Sequence, residues 1–137
     1  MLFRAAAVGV VALAIIVAGD GSASEALPAL QMKQWTARFE KEIWPLLSRN
    51  GKDGCVGCHT PRHRSTLRIS GGAAEEFEKL LVGGYLLPDD PGAFLHVVST
   101  PNPKTHMPPG RRPSWTADEI AALKRFVTEL DTALAKS

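Results

Sequence analysis

The chain has 137 residues, 45% of them hydrophobic and 22% charged, with a formal net charge of +2. That length favours one domain, and the composition excludes general disorder, a collagen-like chain and a multi-span membrane protein. The small net charge speaks against a nucleic-acid partner, which calls for a strong basic face.

The N-terminus reads as a targeting segment. Arg4 is followed by an apolar run from Ala5 to Gly19, Asp20 ends it, and the small residues Gly21-Ser22-Ala23 and Ser24-Glu25-Ala26 come next. A short apolar run between a positive residue and small ones has the pattern of a secretory signal peptide. It is short for a membrane span, which needs about 20 apolar residues. Cleavage is expected after Ala23, with Ala26 as the second choice. Residues 24–137 are then the mature domain, expected in the periplasm, and membrane association follows only if the segment is retained. A domain of about 114 residues folds alone but has a modest core.

The elements that follow are helical, and the expected fold class is all-α. From about Met32 to Leu47 the apolar residues Trp35, Phe39, Ile43, Leu46 and Leu47 recur at steps of three and four, which makes one helical face. Pro45 should kink or tighten the last turn, and Asn50-Gly51 ends it. A second helix is expected over Ala73–Val82, with Phe77, Leu80 and Leu81 on one side and Gly83-Gly84 after it. A third, capped by Asp90 with Pro91 at its first position, should run to about Val98 and bury Phe94, Leu95 and Val98. Seven of the ten prolines lie between Pro88 and Pro113, so beyond Val98 the chain should be a stiff, extended loop. The last helix is the clearest. Thr116 and Glu119 form a T-x-x-E capping box, Trp115 and Ile120 can staple it, and Ile120, Leu123, Val127, Leu130 and Leu134 continue one face to about Ala135, with Phe126 beside it.

Both cysteines of the chain fall in Cys55-Val56-Gly57-Cys58-His59, a C-x-x-C-H motif that reads as c-type haem attachment. Two thiols separated by two residues sit on one side of a short helical turn and can reach the two vinyl groups on one porphyrin edge. The next residue then projects under the ring, where the His59 imidazole can bind iron. Gly54 and Gly57 let the backbone come close to the macrocycle. The other readings are weaker. A thioredoxin-like dithiol needs a βαβ context, a zinc site needs four ligands, and a plain disulfide, the ordinary reading of two cysteines in an exported chain, is argued against by the spacing.

For a second axial ligand the candidate is Met107, in His106-Met107-Pro108-Pro109-Gly110. A thioether is a weak ligand that the fold must hold, and rigid proline flanks lower the entropy cost of doing so. His/Met ligation raises the reduction potential relative to harder ligands. His106 is the rival ligand, and an open distal position is the other alternative. His63 and His96 are read as surface residues.

With these parts in order, the chain resembles class I cytochrome c over most of the mature sequence. The resemblance rests on an N-terminal helix with Ile43-Trp44-Pro45-Leu46-Leu47 before the haem motif, intermediate helices, Met107-Pro108-Pro109, and Trp115-Thr116-Ala117-Asp118-Glu119-Ile120 opening the last helix. It is similar to small monohaem domains of planctomycetes and other bacteria. The resemblance implies an all-α fold whose first and last helices cross beside one covalent haem (heme c). Cys55 and Cys58 would be the thioether attachments, His59 the proximal and Met107 the distal ligand. It implies single-electron transfer by a free carrier or the haem subunit of an oxidoreductase, with no substrate chemistry of its own. A haem protein with a displaceable distal site that binds small ligands is the alternative function. One departure is the lack of a glycine between Met32 and Arg49, where Ala37 is the substitute considered for close helix crossing. The carbonyl that should fix the other nitrogen of His59 is sought among Pro61, Ile69 and Ser70.

Charge is unevenly placed. Arg49, Lys52, Arg62, Arg64 and Arg68 precede the middle helices, and Lys104, Arg111 and Arg112 follow them. Glu75, Glu76, Glu78, Asp89 and Asp90 lie between. A basic rim around the haem edge would steer an acidic redox partner, or some of its arginines would pair with haem propionates.

Overall fold

The computed structural model describes residues 28–49, 54–62, 66–109 and 115–137. The expected leader, residues 1–23, lies outside them, as do Lys52, His63, Arg64, Arg111 and Arg112. Among the described residues there are five helices and no strand: α1 (Ala29–Glu42), α2 (Trp44–Leu47), α3 (Ala73–Val82), α4 (Phe94–Ser99) and α5 (Ala117–Leu134). None is long and apolar enough to cross a membrane.

The first expected helix is two. It starts earlier than Met32, directly after Pro28, and breaks at Ile43. Pro45 is the cause, because it has no N–H to continue the ladder. Instead Ile43 offers its carbonyl to the N–H groups of Leu46 (2.9 Å) and Leu47 (3.2 Å). Across the break Phe39, Ile43 and Leu47 keep a common face, and all three are fully buried.

The helix α3 matches the expected span and ends in a Schellman arrangement. Gly84 takes φ +78°, a conformation that glycine adopts without steric cost. This lets Tyr85 N–H reach Leu80 O (3.0 Å) and Gly84 N–H reach Leu81 O (3.1 Å). The start of α4 differs from expectation. Asp90 caps a tight turn rather than a helix, accepting from Gly92 N–H (2.6 Å), and the helix begins only at Phe94. Residues 91–93 are turn and bend, so Pro91 is not a first helical position. The capping box of α5 is present in both directions, with Thr116 N–H to Glu119 Oε2 (2.8 Å) and Glu119 N–H to Thr116 Oγ1 (3.3 Å).

The core is an aromatic seam where α1, α3 and α5 meet. Phe39, Phe77 and Phe126 are each 0% exposed. Phe39 and Phe77 lie 5.2 Å apart, Phe77 and Phe126 6.4 Å apart edge-on, and Trp35 meets Phe126 edge-on at 5.4 Å. Each such side chain contributes about 1.5–3 kcal/mol through burial, and edge-on ring pairs add about 0.5–1.5 kcal/mol. On the solvent side Arg38 lies 4.7 Å above the Trp35 ring and bonds to Glu42 (3.1 Å) and Glu129 (2.8 Å). Ala37 is exposed and does not serve the crossing. Large rings, not a small residue, join α1 to α5. Phe126, expected beside the buried stripe, is at its centre.

Candidate functional site

The C-x-x-C-H residues form a turn hung from the end of α2. Val56 N–H bonds to Leu47 O (3.2 Å), and His59 N–H closes on Cys55 O (2.8 Å). Gly54 presses against the chain end of that helix. A Cβ there would lie 2.7 Å from Arg49 N and 2.9 Å from Leu47 O, so only glycine fits this backbone-on-backbone approach.

Two adjoining cavities open beside this turn, with about 360 and 490 Å³ of empty space counted out to the solvent at their mouths. Cys55, His59, Val98 and Met107 line both. Gly54, Cys58, Pro108, Pro109 and Trp115 complete the first, and Leu67, Tyr85, Phe94 and Val97 complete most of the second. Cys55, Cys58, His59 and Met107 therefore come together although about fifty residues separate the ends of the set. His106 lines neither cavity. Its Nδ1 instead meets Pro108 O at 3.2 Å, within its own loop. Met107 is held by its backbone, through N–H to Val97 O at 2.7 Å on α4.

His59 Nδ1 lies 3.2 Å from the carbonyl oxygen of Leu67. A carbonyl only accepts, so Nδ1 is the donor in this contact. The carbonyl is thus none of Pro61, Ile69 or Ser70. Sequence reasoning missed it because a main-chain oxygen leaves no side-chain signature. Ile69 does contribute, but through its N–H, which bonds to His59 O at 2.7 Å. The 67–69 segment therefore grips His59 at both ring and backbone.

Burial pushes the Cys55 thiol up to about 11, assisted by the neighbouring Cys58 and opposed by Arg49. Among the described residues no three His, Cys, Asp or Glu side chains gather as a metal site would need. Tyr85 reaches the cavity because the Schellman turn delivers it there, and it stacks on Phe94 at 5.8 Å.

The charge pattern is redistributed by folding. Arg49 is ion-paired with Glu119 and lies 6.0 Å from the Trp115 ring, so it braces the first cavity's wall rather than facing a partner. Arg62, Arg68 and Lys104 are exposed. Glu76, one of the acids between the two basic stretches, is 0% exposed. His96 is exposed, as expected.

Comparison with known protein families, with curated proteins and with solved structures finds no match.

Proposed function

We propose that the protein is an exported monohaem c-type cytochrome that carries single electrons, as a free carrier or as the haem subunit of an oxidoreductase. The observation that carries this reading is the convergence of Cys55, Cys58, His59 and Met107 on one pair of adjoining cavities. The donor set fits a haem: two thiols spaced for the vinyl groups, an imidazole with Nδ1 engaged elsewhere, and a soft thioether. The remaining walls are largely apolar, through Val98, Trp115, Leu67 and Phe94, which suits a macrocycle and would exclude water.

When bound, the haem supplies the one-electron chemistry, and the chain supplies attachment, ligation and burial. Cys55 and Cys58 would hold it covalently, His59 Nε2 would bind the iron, and Leu67 O would fix that ring and raise its basicity. Met107 would be the distal ligand, its backbone tied to α4. A dithiol redox role lacks its usual setting, because a thioredoxin-like dithiol needs a βαβ context and there is no strand among the described residues. On this reading the apolar run before Asp20 directs export to the periplasm, and exposed Arg62, Arg68 and Lys104 contribute to attraction of an acidic redox partner.

The test is an absorption spectrum, oxidised and reduced, of protein matured in a host with c-type haem machinery. Sharp low-spin bands on reduction, with a weak long-wavelength sulfur-to-iron band on oxidation, are expected. Met107→Ala should abolish the sulfur band and admit carbon monoxide to the reduced form, while His106→Ala should leave the band in place. Absence of covalent haem from natively matured protein would remove the reading, and a high-spin wild-type spectrum would replace it with a ligand-binding haem protein.

A further inference from the structure

Glu76 is the one fully buried charged residue among those described. Its surroundings give it a task that no packing requirement explains. It sits in the first turn of α3, and its Oε1 accepts three hydrogen bonds: from Gly71 N–H at 2.7 Å, Lys79 Nζ at 2.8 Å and Ser70 N–H at 2.9 Å. Oε2 has no partner among the described residues. A buried carboxylate is costly unless bonded, and here the bonds all fall on one oxygen. Two of them hold the main chain immediately after Ile69.

That main chain is the strap that grips His59. Leu67 O meets Nδ1 of the ring, and Ile69 N–H meets the His59 carbonyl. Leu67 and Ile69 are both buried side chains, so the strap is pinned by packing at 67 and 69 and by the carboxylate at 70 and 71. Without the carboxylate, two N–H groups at the strap's end would have to find other acceptors, and the strap would lose the two bonds that fix it next to Ile69.

We infer that Glu76 is a positioning residue for His59: through Ser70 and Gly71 it fixes the strap whose Leu67 carbonyl sets the orientation and proton position of the imidazole. The consequence for ligation rests on the haem reading above; the grip on the strap does not. A firm Nδ1–H bond makes the imidazole a better donor and favours oxidised iron. Slackening the strap therefore favours the reduced form. Glu76→Gln keeps an acceptor oxygen for Ser70 and Gly71. Glu76→Asp keeps the charge but draws the oxygens back by one methylene, and Glu76→Ala removes them.

The experiment compares these variants with the wild type as matured holoprotein, by redox titration and by NMR of the His59 ring proton and the Ile69 amide. Glu76→Ala and Glu76→Asp are expected to shift the reduced-to-oxidised ratio at fixed potential about three- to tenfold toward reduced, equivalent to roughly 30–60 mV at 59 mV per decade. Both should also speed exchange of the ring proton, while Glu76→Gln stays near wild type in both. If Glu76→Ala fails to mature, Glu76→Asp carries the test. Wild-type potential and ring-proton exchange in Glu76→Asp would overturn the inference, as would equal shifts in Glu76→Gln and Glu76→Asp. If the wild type itself lacks haem, the haem reading fails separately. The strap is then tested in haem-free protein, where Ile69 amide exchange unchanged between wild type and Glu76→Asp would overturn the positioning role.

Discussion

The aromatic seam and the cavity beside it are built in opposite ways. In the seam, Phe39, Phe77 and Phe126 are placed by helical period, and neighbouring helices meet ring against ring. Around the cavity, His59 and Met107 sit on irregular backbone and Phe94 opens the short helix α4, and each is placed by one or two hydrogen bonds to main-chain groups eight to ten residues away in the chain. Met107 depends on Val97 O, His59 on Leu67 and Ile69, and Phe94 on Tyr85 O at 3.0 Å. The first region is over-determined, and losing one residue costs stability. The second is held at few points, and losing one changes the site more than the fold.

The largest effect that would break this contrast lies in the seam. Phe126→Ala should destabilise the domain by about 3–5 kcal/mol, read as a lowered denaturation midpoint. A loss below about 1 kcal/mol would mean that the seam is not the main source of stability. On the cavity side, haem-free protein sharpens the comparison through Cys55. With its thiol raised from 9.0 to about 11, the folded chain should show about 100-fold less Cys55 thiolate at pH 8 than the unfolded chain. Alkylation at Cys55 should slow accordingly. The sign for stability follows: the contribution is fully present below the unfolded value near 9 and is lost as pH rises through about 11.

A smaller effect is expected at the hinge between the two regions, the start of α5. Thr116→Ala should cost about 1 kcal/mol. Its partner Glu119 is held below the usual carboxylate range. Burial works against this, but the bonds from Thr116 N–H and Arg49 outweigh it. That stabilisation is present above the ordinary carboxylate pKa and fades as pH falls through the lower folded value, whereas the cost of Thr116→Ala, which removes chiefly the hydroxyl accepting from Glu119 N–H, should change little in acid. The smallest effect is at the rim of the seam. Glu129→Gln, which weakens a half-exposed pair with Arg38, should change stability by at most about 1 kcal/mol. A larger change would show that this pair, rather than the rings beneath it, secures the crossing.

The sequence was most readable where side chains announce themselves. The spans of α3 and α5 followed from periodicity and from the Thr116–Glu119 box, and chemical type and spacing singled out Cys55, Cys58, His59 and Met107, which line one pair of adjoining cavities. What it concealed was of two kinds. Main-chain partners such as Leu67 O carry no residue code, so Ile69 and Ser70 were as plausible as candidates. Environment also overrides character. Glu76 looks like any solvated helix acid, and its burial depends on where the 67–71 strap runs. Ala37 looked suitable for a close crossing, but the turn of α1 that meets α5 carries Trp35 and Phe39 instead. The late start of α4 has a local reason, since Asp90 satisfies Gly92 N–H in a turn that competes with a helix N-cap.

The close seat of Gly54 on the end of α2 bears on the order in which the site assembles. The main-chain bonds described for the C-x-x-C-H turn, from Leu47 O to Ile69 N–H, join segments near one another in the chain, and closing such short loops costs little entropy. The opposite wall arrives only with Val97 and Met107. On the haem reading, a chain emerging N-terminus first presents both thiols and the proximal imidazole in a nearly finished cradle while the distal ligand is still to come. Covalent capture and axial ligation are then separate events. The first is a local reaction of about two dozen residues, and the second is a closure that waits for the rest of the domain.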